Sequence, residues 1–255
     1  MDRIEVNGVG LEVLRIAGPD GRQPIMFLHE GLGSVAMWRD WPARVCAATG
    51  RAGIVYSRRG YGGSDPIPDV RGAGRLEPDY MHREAFEVLP PLLQALGLQA
   101  PVLLGHSDGG SIALLYASRH PLSACVVMAP HVIVEDISVQ SIAQAREAFL
   151  GQGLRERLAR FHADVDGAFW QWNDAWLDPA FRAFDIREDC RRIESPVLAI
   201  QGVDDAYGTL RQIDEIEPTR GPFEKVVLPD CGHSPQRDQP EAVTSRIAAF
   251  LAGRG

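Results

Sequence analysis

The sequence predicts an α/β fold: a mostly parallel eight-stranded sheet with an antiparallel start, helices on both faces, and a helical cap inserted after the sixth strand. Three observations lead there. Short β-branched or apolar runs alternate with longer stretches of helical periodicity, the pattern of β-α units around a doubly covered sheet. The first two runs flank Asn7-Gly8, a hairpin signal. Between Pro130 and Pro196 lie roughly 60 residues with helical periodicity and no strand pattern.

The strand runs are IEV, LEVLRIA, PIMFLHE, AGIVYS, PVLLGH, ACVVMAP, PVLAIQG and FEKVVLPD, and helices are expected over 34–49, 80–97, 109–119, 209–217 and 240–252. This divides the chain into a core of residues 1–130 and 191–255 and a helical cap of residues 131–190. The cap carries AREAFLGQGLRERLARF and DGAFWQWNDAWLDPAF, where Phe169, Trp170, Trp172, Trp176 and Phe181 concentrate aromatic area. Singly, each is better explained by packing within the cap; as a group they predict an apolar roof. The Pro/Gly/Arg-rich stretch 66–78 reads as a surface loop.

Composition narrows the function. The 255 residues, 45% hydrophobic and 24% charged, suit one large core, and a formal net charge of -8 argues against a nucleic-acid surface, which needs clustered cations to neutralise phosphates. A small, neutral or weakly charged substrate fits better, with a homodimer left open. Cys46, Cys125, Cys190 and Cys231 are far apart and lack the spacing of a zinc site or a redox pair, and the serine chemistry described below requires neither a metal nor an organic cofactor. The opening MDRIEVNGVG does not read as a secretory signal, and the longest apolar stretch, 124–134, is too short to span a bilayer. A cytoplasmic location away from membranes is the expectation.

The chemistry centres on PVLLGHSDGGSIALLYASRH, where an apolar strand runs into Gly105-His106-Ser107-Asp108-Gly109 and on into an amphipathic helix. A bare G-x-S-x-G is weak, arising by chance in roughly one chain in ten of this size. Here it has the strand-turn-helix context that a nucleophilic serine requires, with glycines letting the backbone close up around the turn. Serine needs a positioned base at neutral pH. His233, on a Gly-containing turn between the last strand and the last helix, is the candidate, and activity should fall as acid protonates its imidazole. The acid should follow PVLAIQG, where Asp204 and Asp205 both stand; Asp205 is preferred. The order serine, acid, histidine supports the set.

With these residues in hand, the chain resembles the α/β-hydrolase family over essentially its whole length, through IMFLHEGLGSVAMWRDW, VYSRRGYGGSD, LLGHSDGGSIAL, PVLAIQGVDDAYG and VVLPDCGHSPQRDQPE. The resemblance implies a serine hydrolase of esterase type with two oxyanion-hole donors. These would be the backbone N–H of Asp108 and that of Gly31, with Leu32 an alternative to Gly31. Glu30 stands where the family usually has glycine, Asp108 where a neutral residue is frequent, and Ser57 where a D-x-R-G aspartate is usual. Glu30 and Asp108 are expected either to pair with a buried arginine such as Arg58 or Arg59, or to make the pocket mouth negative. Glu30, Leu32, Trp38, His131 and Trp170 are expected at the substrate pocket from their positions alone.

The expected reaction is acyl transfer through Ser107 on a carboxylic ester or lactone of a small, largely apolar substrate. Carbon–carbon bond hydrolysis of ring-cleavage products, thioesterase and perhydrolase activity use the same triad and stay open. In this family epoxide hydrolases and haloalkane dehalogenases use an aspartate nucleophile, so serine argues against both. A ligand receptor on the same fold is the non-enzymatic alternative.

Overall fold

The chain opens with the hairpin that Asn7-Gly8 announces. Strands β1 (Asp2–Val6) and β2 (Val9–Ile16) pair antiparallel with Val6 opposite Val9, and the turn residues have φ of 53° and 76°. Two positive φ values match the right-handed twist of the flanking strands. The remaining strands are β3 (Ile25–Leu28), β4 (Gly53–Tyr56), β5 (Val102–His106), β6 (Ala124–Met128), β7 (Val197–Gly202) and β8 (Phe223–Leu228). The computed structural model describes residues 1–217 and 219–254, and in it all eight strands form one sheet in the order β1-β2-β4-β3-β5-β6-β7-β8. β2 pairs antiparallel with β4, and from β4 to β8 every pairing is parallel. Strands β3 to β7 are buried along their whole length, which is why their sequences are continuously apolar rather than alternating.

The helices are α1 (Trp41–Thr49), α2 (Tyr80–Arg83), α3 (Leu89–Ala95), α4 (Asp108–Ala117), α5 (Asp136–Gly151), α6 (Leu154–Leu158), α7 (Val165–Trp176), α8 (Arg187–Cys190), α9 (Arg211–Asp214), α10 (Pro235–Asp238) and α11 (Pro240–Leu251). α1 and α11 close one hydrophobic layer with Phe27, Trp38, Trp41 and Phe250; α2 to α4 and the segment between β6 and β7 close the other. Among the described residues no helix is long and apolar enough to cross a membrane. The four cysteines are buried and free.

Three expected helices differ in extent. The stretch 34–49 splits into a 3-10 turn (Ala36–Trp38) and α1, because Arg39 has φ 55° and Pro42, in the first turn of α1, fits a helix start and not an interior. The stretch 80–97 is interrupted by a π turn, Glu84–Val88, just before Pro90 and Pro91. Two prolines remove two N–H donors, and the ladder adjusts upstream. Of 209–217 only α9 is helical, and α10 was not expected.

Between β6 and β7 the chain forms α5 to α8 and a 3-10 turn, Pro179–Ala183. Its interior is aromatic: Phe149 and Phe169 stack at 3.8 Å, and Trp176 lies 4.7 Å from Phe181. The loop 66–78 is tied down on this segment, Arg71 pairing with Asp174 and Arg75 with Asp178, each at 2.8 Å.

Candidate active site

Strand β5 ends at His106, and the chain turns at Ser107 with φ 52° and ψ −120° before α4 begins at Asp108. An L-residue with positive φ carries strain that only its surroundings can hold. Here they do so at short range: Ser107 N–H donates to Met128 O at 2.9 Å, and Ser107 O accepts from Gly110 and Ser111 N–H. The flanking glycines allow the closure, since a Cβ on Gly105 would lie 2.1 Å from Gly109 O and one on Gly109 2.2 Å from Leu28 O. The turn thus lifts the Ser107 hydroxyl above the ends of the strands.

Two loops at the same sheet edge bring the partners. His233 Nε2 is 3.0 Å from Ser107 Oγ, and His233 Nδ1 is 2.9 Å from each oxygen of Asp205. Asp205 follows β7 and is held by Tyr207 N–H (2.8 Å) and Gln201 Nε2 (3.2 Å). Burial opposes its ionisation, but the His233 hydrogen bond and the nearby charges hold its carboxyl below the usual carboxylate range. Asp204 has no hydrogen bond to His233 among the described residues and bonds through its backbone N–H to Cys231 O.

The loop after β3 forms a turn in which Gly33 N–H donates to Glu30 O at 3.0 Å. That bond leaves the N–H groups of the two middle residues, Gly31 and Leu32, outside the turn's own hydrogen bonding. Asp108 is the first residue of α4, so its N–H has no intrahelical acceptor. Arg58 braces the loop from below, donating to His29 O (2.7 Å) and Glu30 O (3.1 Å), while its own N–H donates to His29 Nε2. Burial alone would weaken the charge of Arg58, yet Tyr61, Asp108, Glu84 and Tyr56 around it raise its pKa.

The two departing acids are both matched. Asp108 is 1% exposed and accepts from Tyr80 OH (2.6 Å) and Trp176 Nε1 (3.2 Å), with Arg58 Nη2 at 3.8 Å. Glu30 meets Arg237 at 3.2 Å and His106 Nδ1 at 3.4 Å, so its side-chain partner is neither Arg58 nor Arg59. Burial opposes the ionisation of Glu30, and His106 and Arg237 hold its carboxyl well below the usual range. Each acid therefore has a cationic neighbour, Arg58 for Asp108 and Arg237 for Glu30.

A cavity of about 250 Å³ lies over Ser107, and Glu30, Gly31, Leu32, His131, Trp172 and Trp176 are among its walls, with α5 and α6 adding Ile142, Leu154 and Leu158. Two residues expected at the pocket lie elsewhere. Trp38 is 5% exposed, stacked on Trp41 at 5.7 Å and set against Phe27, in the layer beneath α1, and it borders a neighbouring cavity that shares Glu30, Met37 and Arg237 with the one over Ser107. Trp170 sits on the outer side of α7 between Arg71, 4.0 Å from its ring, and Phe149. It is two residues, about 200° of rotation, from Trp172, so the two tryptophans point in nearly opposite directions. Sequence reasoning missed Met37, Tyr207 and Arg237 at the cavity; Tyr207, two residues past Asp205, had a positional signal, the others none.

Among the described residues no cluster of three or more His, Cys, Asp or Glu side chains is arranged to hold a metal ion. Residues 25–246 match the model of the Alpha/beta hydrolase family. The chain is 25% identical to Epoxide hydrolase 3 of Xenopus tropicalis, over 97% of this chain and 77% of that one. It is 24% identical to the Bifunctional esterase/perhydrolase DCH of Acinetobacter calcoaceticus, over 71% and 74%. In fold it is similar to the enol-lactonase from Burkholderia xenovorans LB400, with TM-score 0.75 and 21% identity over 98% of this chain and 100% of that one. A match spanning six of the eight strands, β3 to β8, together with hydrolase relatives, identifies the chain as a hydrolase that belongs to the alpha/beta hydrolase family.

Proposed function

We propose that the protein is a serine hydrolase that cleaves a carboxylic ester or lactone of a small, largely apolar substrate through an acyl-enzyme. The observation that carries this is the chain of short contacts from Ser107 Oγ to His233 to both oxygens of Asp205. Ser107 attacks the carbonyl carbon as His233 takes its proton, and Asp205 fixes the tautomer and stabilises the imidazolium. The N–H groups of Asp108 and of Gly31 or Leu32 receive the developing oxyanion. His233 then protonates the leaving alkoxide, and a water attacking with the same base releases the acid. Residues 131–190 act as a cap that supplies the apolar walls, and a cavity of about 250 Å³ favours short acyl groups. A serine at the elbow separates this reading from epoxide opening, despite the similarity to Epoxide hydrolase 3.

Similarity to the Bifunctional esterase/perhydrolase DCH supports a second outcome of the same acyl-enzyme, attack by hydrogen peroxide instead of water to give a peracid. A fluorophosphonate probe is expected to label Ser107, and p-nitrophenyl esters of increasing chain length should be turned over best at the short end. Ser107→Ala should lose roughly ten-thousand-fold or more in kcat. An unlabelled serine in folded protein, or a Ser107→Ala variant with wild-type turnover, overturns the reading.

A further inference from the structure

Most polar side chains around the cavity are already engaged; among those that keep an atom without a hydrogen-bond partner, beside the hydroxyls of Tyr207 and Ser234, are His131 and Trp172, whose ring atoms are fixed in direction. His131 follows β6, and its backbone is pinned by a single hydroxyl: Ser111 Oγ accepts from His131 N–H at 2.9 Å and donates to His131 O at 2.7 Å. Its Nε2 lies 3.2 Å from Tyr207 O. A carbonyl can only accept, so Nε2 carries the ring hydrogen. Burial, with the neighbouring His233 adding to it, lowers the imidazole pKa to about 4, so the ring is neutral at neutral pH and Nδ1 is a bare lone pair. The residue is 2% exposed, and Nδ1 has no partner. Trp176 at 4.8 Å and His233 at 5.8 Å, both cavity residues, hold the ring in place.

Trp172, one turn before Trp176 on α7, presents the opposite polarity. Its indole Nε1 has no hydrogen-bond partner among the described residues, and it stands over Gly31, where a Cβ would lie 2.1 Å from Nε1. Buried polar atoms are normally satisfied, so the unpartnered His131 Nδ1 is an exception that a ligand donor could answer, and the unpaired Trp172 N–H adds a donor on the walls of the same cavity; together they are complementary to a ligand that brings both.

We propose that the natural substrate carries a hydroxyl group on the portion lodged in this cavity, with His131 Nδ1 accepting from that hydroxyl and Trp172 Nε1 donating to a substrate oxygen. The substrate class is a hydroxy-acyl ester or hydroxylated lactone. The assignment rests on the serine-hydrolase reading and adds specificity to it. A wall that hydrogen-bonds a substrate hydroxyl discriminates strongly against the analogue lacking it, because the wall's own polar groups are then left unpaired.

The test compares kcat/KM for p-nitrophenyl butyrate with those for its 2-, 3- and 4-hydroxy derivatives. Wild-type enzyme should prefer one of the hydroxy esters by about tenfold or more. His131→Phe should bring that ratio close to one, mainly through KM, and His131→Asn, which restores an acceptor oxygen, should recover part of it. Trp172→Phe should reduce the ratio less completely. The proposal is overturned if wild-type enzyme favours plain butyrate over every hydroxy ester, a result that needs no variant, or if His131→Phe keeps the preference. Failure of the underlying reading looks different: no ester is turned over and the fluorophosphonate leaves Ser107 unlabelled, which removes this proposal as well.

Discussion

At the scale of single residues, the site depends on groups that act through geometry. Asp205 grips His233 with two oxygens at 2.9 Å, so Asp205→Asn should let the imidazole take the wrong tautomer and cost roughly ten-thousand-fold in kcat with little change in KM. Gly31 is required for a steric reason: its missing Cβ is the space that Trp172 occupies. Gly31→Ala should therefore displace the indole and lower kcat/KM on a short ester by at least about tenfold, the cost typical of a misplaced active-site group. Adding Trp172→Phe, a smaller ring, should recover part of that loss, and a double variant no better than the single one would show that the clash is not the cause.

At the scale of elements, α7 separates structural from functional aromatics. Phe169 is fully buried and stacked on Phe149, whereas Trp170 is half-buried beneath Arg71. Phe169→Ala should destabilise the fold by about 3–5 kcal/mol through lost contacts and a cavity, measured by urea unfolding. Trp170→Ala should cost clearly less and leave the ester chain-length profile unchanged, since its ring faces away from the cavity. The elements themselves were mostly legible: all eight strand runs form strands, because continuous apolar runs between helical segments admit few other structures. The long helices were less legible. Pro42, Pro90 and Pro91 are visible in the sequence, but whether a proline starts, splits or bends a helix depends on what packs beside it.

At the scale of the whole molecule, acid should destabilise this protein over two successive pH windows. His29 and His131 are buried and neutral, both with pKa values lowered by burial first, to about 4 in the case of His131. Their unfolded forms protonate near ~6.5, so between that value and about 4 the unfolded state binds more protons and stability falls as pH falls. Below that window Asp205 and Glu30, whose folded values are lowered, lose their share as well, since stability drawn from an ionised carboxylate disappears on protonation. A loss on the order of a few kcal/mol between pH 7 and pH 4 is expected in urea midpoints, and a flat profile over that range would contradict the buried neutral histidines.

The sequence alone determined the fold class and which serine and histidine meet, and it narrowed the acid to Asp204 or Asp205, because a strand running into Gly105-His106-Ser107-Asp108-Gly109 and a helix is a local pattern, and the order of the three residues survives in one dimension; the contact of Asp205 with His233 was decided by the structure. Only the tertiary structure decided which aromatic faces the cavity, that Trp38 belongs to the layer under α1, and that Arg58 braces the loop while Arg237 answers Glu30. Those outcomes depend on the rotation of a helix about its axis and on partners up to 207 residues apart, and composition and spacing carry no record of either.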